Sequence, residues 1–292
     1  MRFSLPFIYF VFGFCMAFPA IATQFIFIKQ LKISPVGMAF AYSLISLPWT
    51  IKPVYGFVSD KYAVFDWGKR RPYVFYAGLI LCYMYVVLGR VIHEFYLYLA
   101  SLIFCSFLLC FADVATDSIT VELVKKKETE SNQGILQSNN WIGRALGTVT
   151  GSFFGGMAFS KLDAETVYKL CGIFPFLMAC VVWDLPKSDH TYENVFSKLW
   201  INFKQQKELA LILLLISIAP NYGTFYTYFL TDKLKYTPTE FTWLSMSGSL
   251  AMLAGVMSFR FYFRKFYIKR TLQVAVCISV LFRLPQLLVV TG

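Results

Sequence analysis

Four charged side chains, Lys52, Asp113, Asp117 and Arg144, sit inside apolar stretches long enough to cross a bilayer. Placing a charge in hydrocarbon costs about 2.5–3.5 kcal/mol on insertion scales, so such residues usually face a wet cavity or one another and mark a solute path. Asp113 and Asp117 stand four residues apart, on one helical face with Ser106, Cys110 and Thr120. Two carboxylates on one face repel, which makes one of them a candidate for reversible protonation unless a cation lies between them. Two chemistries follow. In one, an aspartate couples transport to a proton while Arg144 attracts an anionic group. In the other, Lys52 and Arg144 close a structural ion-pair network. Counted at 1.5 Å per residue, all four side chains fall about 9–15 Å in from the inner membrane face.

The elements that position them are apolar helices. The chain is 58% hydrophobic and 15% charged, with 31 Phe, where a soluble protein of its 292 residues carries nearer to a quarter charged residues. Runs of about 20 apolar residues match a hydrocarbon core of about 30 Å. Nine spans are expected, at 4–28, 37–59, 72–89, 95–122, 135–159, 166–183, 209–231, 241–259 and 271–291. Arg2, the following apolar run and Ala20-Ile21-Ala22 imitate a secretory signal, but the run continues through Ile28 and is too long for one. The basic residues fall unevenly: 17 lie on the side of the N-terminus and seven on the other. That asymmetry predicts a cytoplasmic N-terminus and accounts for the net charge of +11 without a nucleic-acid partner. The seven cysteines all lie in expected spans with no metal-ligand spacing, so packing is their expected role and no cofactor or metal is expected. With only His93 and His190, and no nucleophile–base motif or phosphate loop, an enzyme is not expected.

The segment after the second span reads Gly56-Phe57-Val58-Ser59-Asp60, and then Gly68-Lys69-Arg70-Arg71-Pro72. Gly56 would permit close helix approach, and Asp60 could pair with Arg70 or Arg71 in a charge clamp that breaks during rocking. This pattern resembles the signature loop of the major facilitator superfamily, with a longer connector at 61–67. Leu47-Pro48-Trp49-Thr50-Ile51-Lys52-Pro53-Val54-Tyr55-Gly56, Asp113-Val114-Ala115-Thr116-Asp117, and Leu136-Gln137-Ser138 with Trp141 and Arg144 together resemble the folate–biopterin transporter family. The resemblance is strong in the second, fourth and fifth spans and weak after Lys187. It implies a fold of two six-helix halves, folate or pteridine substrates, alternating access and, by analogy, proton symport. On it the chain lacks three C-terminal spans and is a truncated form.

The remaining candidates are polar positions on other spans. Gln24, Asn221, Thr224 and Tyr228 could hydrogen-bond a polar heteroaromatic ligand, and Phe225 or Tyr228 could stack on it. Pro220 and Gly223 could open the seventh helix. Gly147, Gly151 and Gly155 repeat at four-residue spacing, with Gly156 beside them, and suit close helix packing.

The expectation is an all-α multi-pass membrane protein of the major-facilitator type. It has a six-helix bundle at 1–183, a basic cytoplasmic loop at 184–208 and a partial bundle of about three helices at 209–292. Its expected partners are a small-molecule solute, the lipid bilayer and a coupling proton, with the plasma membrane as default compartment. Two alternatives stand beside it: a transporter of another organic anion or amino acid, and a non-transporting paralogue or membrane scaffold.

Overall fold

The computed structural model describes residues 3–62, 67–127, 134–187, 211, 223–263 and 266–291. Among these residues the secondary structure is helical, with no strand. The first expected span forms α1 (Ser4–Ala17) and α2 (Ala20–Phe25), the latter running into a π-helical turn at Ile26–Gln30. The junction falls at Pro19, whose carbonyl accepts a hydrogen bond from Thr23 Oγ1 at 2.9 Å. Leu5, Ile8, Tyr9, Val11 and Phe12 are all buried, so α1 is covered around most of its circumference.

The second expected span, 37–59, is two helices rather than one. α3 (Pro35–Thr50) ends and α4 (Lys52–Lys61) begins at Ile51, whose backbone leaves the helical region at φ −100°, ψ 19°. Pro53 is the cause: it has no N–H to bond the Trp49 carbonyl one turn earlier, and its ring clashes with that carbonyl, so the ladder of α3 cannot continue through it. The break places Lys52 on the first turn of α4, free to turn inward. Then follow α5 (Arg71–Arg90), α6 (Phe95–Lys127), α7 (Ile135–Lys161) and α8 (Ala164–Val181). Asp163 caps α8, accepting from the Thr166 N–H and hydroxyl, and these bonds hold its carboxyl below the usual carboxylate range. After the central segment come α9 (Gly223–Tyr228) with a π-helical turn at Phe229–Lys233, α10 (Pro238–Phe261) and α11 (Ile268–Thr291). Thr237 and Glu240 form a capping box at the start of α10.

Five described helical stretches are long and apolar enough to cross a membrane: Ser4–Gln30, Arg71–Arg90, Phe95–Lys125, Ala164–Asp184 and Pro238–Phe261. The principal packing pairs are α1 with α7, α5 with α8, α7 with α10, and α6 with α3, α4 and α5. The α1–α7 seam is the tightest. A Cβ added at Gly143, Gly147 or Gly155 would lie 2.3, 1.9 and 2.1 Å from the carbonyl oxygens of Pro6, Phe10 and Phe18. Only bare backbone fits there, which is the packing expected of four-residue glycine spacing. Gly56 differs from expectation. A Cβ there would meet only Val114 Cγ1 at 3.7 Å, an ordinary contact, so close approach of α4 to α6 does not require glycine.

Candidate functional site

α4, α6 and α7 bring Lys52, Asp113 and Arg144 together. Asp113 is fully buried and divides its two oxygens between two cations: Lys52 Nζ donates to Oδ2 at 2.7 Å and Arg144 Nη1 to Oδ1 at 2.9 Å. The partners differ in environment, since the Lys52 side chain is 35% exposed and that of Arg144 11%. A buried carboxylate survives only when its lone pairs are met in this way, and removing a partner leaves an uncompensated charge. Arg144 is therefore committed to Asp113, with its other arm 3.2 Å from Met16 Sδ. That differs from the expectation of Arg144 as a free anion-attracting group, since its guanidinium is paired with Asp113.

Asp117 lies one turn further along α6 and belongs to a different network. It accepts a hydrogen bond from the Tyr9 hydroxyl of α1. Tyr9 also sits 3.3 Å from Thr120 Oγ1, which accepts from Asn140 Nδ2 of α7 at 3.1 Å and donates to the Thr116 carbonyl at 3.0 Å. The expected polar stripe of α6 is thus split by function. Ser106 and Cys110 donate to the carbonyls of Ile45 and Pro48 near the end of α3, while Asp113, Asp117 and Thr120 hold the charged and hydroxyl networks.

Trp49 joins the triad to a cavity. Its indole N–H donates to Ser106 Oγ at 3.0 Å, and its ring centroid lies 4.7 Å from Lys52 Nζ and 5.8 Å from the Arg144 guanidinium. Trp49 also lines a cavity of about 460 Å³, within the size range of small-molecule sites. Met16, which touches Arg144, is part of the same wall, and Gln24, Ser46, Ser106 and Tyr168 supply polar points. Mostly apolar walls with a few convergent polar groups suit a flat heteroaromatic solute. An adjoining ion-paired triad of net charge +1 suits an anionic one.

Where the C-terminal parts of α4 and α6 meet the start of α5, Arg70 pairs with two acids. Its Nη2 donates to Asp60 Oδ1 at 2.6 Å, and its Nη1 to the Ser118 carbonyl at 3.1 Å and to the Glu122 carboxylate. Gly68 adopts φ 96°, a left-handed backbone that a side chain would strain, and turns the chain toward Arg70. Arg71 does not take this place. It is half-buried and its Nε has no hydrogen-bond partner among the described residues.

Of the other expected site residues, Gln24 lines the cavity. Tyr228 is buried and donates to the Ile33 carbonyl, a structural tie between α9 and the chain before α3. Neither Tyr228 nor the half-buried Thr224 lines the cavity, and Phe225 is exposed, because α9 contacts α3 instead of the charged helices. Asn221 and Pro220 lie outside the described residues. Sequence reasoning missed Tyr9, Trp49, Met16, Asn140 and Glu122. Two of them carried a signal: Glu122 is an acid at the C-terminal end of the fourth span, and Trp49 stands in the second-span stretch that carries the family resemblance.

The BT1 family matches this sequence over residues 13–292. Three curated relatives show the same likeness. A protein of Arabidopsis thaliana named "Probable folate-biopterin transporter 4" is 35% identical over 173 residues, covering 58% of this chain and 35% of its own. The "Folate-biopterin transporter" of Synechocystis is 26% identical over 293 residues, 97% of this chain and 59% of that one. "Folate transporter 2" of Plasmodium falciparum is 22% identical over 269 residues, 89% and 58% respectively. The matched segment thus spans between about a third and three fifths of these relatives.

Proposed function

This chain belongs to the BT1 family, and we propose that it is a membrane transporter of folate- or pteridine-type solutes. The observation that carries the reading is that Trp49 and Met16, which line a solute-sized cavity, also contact Lys52 and Arg144 of the triad. A pterin ring offers a flat π-face for Trp49 and polar edges for Gln24, Ser46 and Ser106. The carboxylates of a folate are drawn by the triad's net positive charge. The relatives' printed names supply the substrate class.

The mechanism in this reading is alternating access in a major-facilitator arrangement. The bundle of residues 1–183 rocks against the segment from 209 onward, joined by the basic loop of 184–208 on the cytoplasmic side. The N-terminus is cytoplasmic, the membrane is the plasma membrane, and transport is coupled to protons. Arg70 with Asp60 and Glu122 holds the inner side closed in one state and releases it in the other.

The test is uptake of radiolabelled folic acid into cells expressing the chain, with unlabelled biopterin, folate and a panel of amino acids and organic anions as competitors. The reading expects saturable uptake that folate and biopterin suppress and amino acids do not. Suppression by amino acids or simple organic anions alone would assign a different solute. Absence of uptake by correctly inserted protein would favour a non-transporting role.

A further inference from the structure

We infer that Asp117 carries the coupling proton, in a pocket shared with Tyr9, Thr120 and Asn140 that is chemically distinct from the Lys52–Asp113–Arg144 triad. The inference rests on the transport reading for its biological meaning and assigns that reading's proton to one of two neighbouring carboxylates. Asp113 is unsuited to the task. Both of its oxygens already accept from cations, at 2.7 and 2.9 Å, and it is fully buried. Asp117 is half-buried, takes one bond from Tyr9, and has no further hydrogen bond among the described residues.

Its network is short of a donor. Asn140 is fully buried, its Nδ2 is spent on Thr120 Oγ1, and its Oδ1 has no partner. The Thr120 hydroxyl is spent on the Thr116 carbonyl and that of Tyr9 on Asp117. Buried acceptors in native proteins are almost always satisfied, so an orphaned one marks where a donor arrives. A proton on Asp117 adds one O–H donor to the Tyr9–Thr120–Asn140 network, which lets its hydroxyls reorient toward the unmet acceptor. The proton leaves a hydronium ion on the loading side, forms the carboxyl O–H bond, and returns to water on the other side; no oxidant or reductant enters. The groups that face Asp117 are Tyr9 from α1, Lys52 from α4, Cys110 and Asp113 from α6, and Arg144 from α7.

Charge then links proton to solute. With Asp117 ionised, Lys52, Asp113, Asp117 and Arg144 sum to zero. With Asp117 protonated they sum to +1, beside the wall of the cavity. An anionic solute is attracted to the protonated state, and by reciprocity a bound anion favours protonation.

Infrared difference spectroscopy of the purified full chain in lipid, between acidic and alkaline pH, tests the assignment without any solute. The expected result is a protonated-carboxyl C=O band in the wild type that is abolished in the isosteric Asp117→Asn variant. In Asn140→Leu, with its acceptor removed, the band shifts in frequency. A band that persists unchanged in folded Asp117→Asn overturns the proposal, as does one whose frequency Asn140→Leu leaves untouched. Because the measurement contains no folate, a wrong substrate class leaves this outcome unaffected, and the two failures are separable.

Discussion

At the residue scale, Asp113 is the keystone and its neighbours are unequal. Asp113→Asn deprives Lys52 and Arg144 of the carboxylate they both bind and is expected to cost about 3–5 kcal/mol, the range for breaking a buried pair. Lys52→Met removes only the more exposed partner and leaves the Arg144 contact, so its cost should be clearly smaller. Thermal unfolding of both variants in detergent checks this order, and equal losses would contradict it. These three residues were legible in the sequence because a charge inside an apolar run has few innocent explanations. Tyr9 and Met16 were not. A tyrosine among the phenylalanines of α1 matches the background, and only the packing of α1 on α6 and α7 gives Tyr9 its carboxylate. Which of Arg70 and Arg71 clamps Asp60 was equally hidden, since the choice depends on how Gly68 turns the chain.

At the element scale, α7 is held by its glycines. Gly147→Val must push α7 away from α1, because even a Cβ would lie 1.9 Å from the Phe10 carbonyl oxygen. Rigid helix backbones cannot absorb that overlap, so the variant should lose several degrees in unfolding temperature or fail to insert. Gly248 on α10 is the control. A Cβ there meets nothing within 4 Å, and Gly248→Ala should be neutral or mildly stabilising in the same assay, by up to about 1 kcal/mol from helix propensity. The glycine spacing announced a close packing surface in the sequence. That its partner is α1, with Gly13 answering against the Arg144 carbonyl, could not be read, because helix pairing is a property of the assembled bundle. The α3–α4 break was the reverse case. Pro53 stood in plain view, yet an apolar run of the right length outweighed it, and the span was read as one continuous helix. Tertiary support explains the tolerance, since Ser106 and Cys110 of α6 satisfy α3 carbonyls beside the break.

At the scale of the whole molecule, α7 also packs along α10. Ser152 Oγ lies 3.0 Å from Ser249 Oγ and accepts from Ser245 Oγ at 3.2 Å, with Arg260 donating to Asn139 nearer the other end. In the α1 seam glycines meet backbone carbonyls, whereas this seam adds hydroxyl pairs to a close Gly156–Thr242 approach and a Phe153–Trp243 ring contact. Oxidising the Ser152→Cys, Ser249→Cys double variant should join α7 to α10 and cut uptake several-fold, with recovery on reduction. Undiminished uptake by the cross-linked protein would show that no sliding is needed there. If the cavity beside Trp49 lies on the solute path, Ser46, an exposed side chain on its wall, will sense the solute. In a Ser46→Cys variant with the seven native cysteines replaced by alanine, the labelling rate by a water-soluble maleimide should fall several-fold as folate is raised to saturation. Labelling that proceeds at the same rate with and without saturating folate would contradict the account.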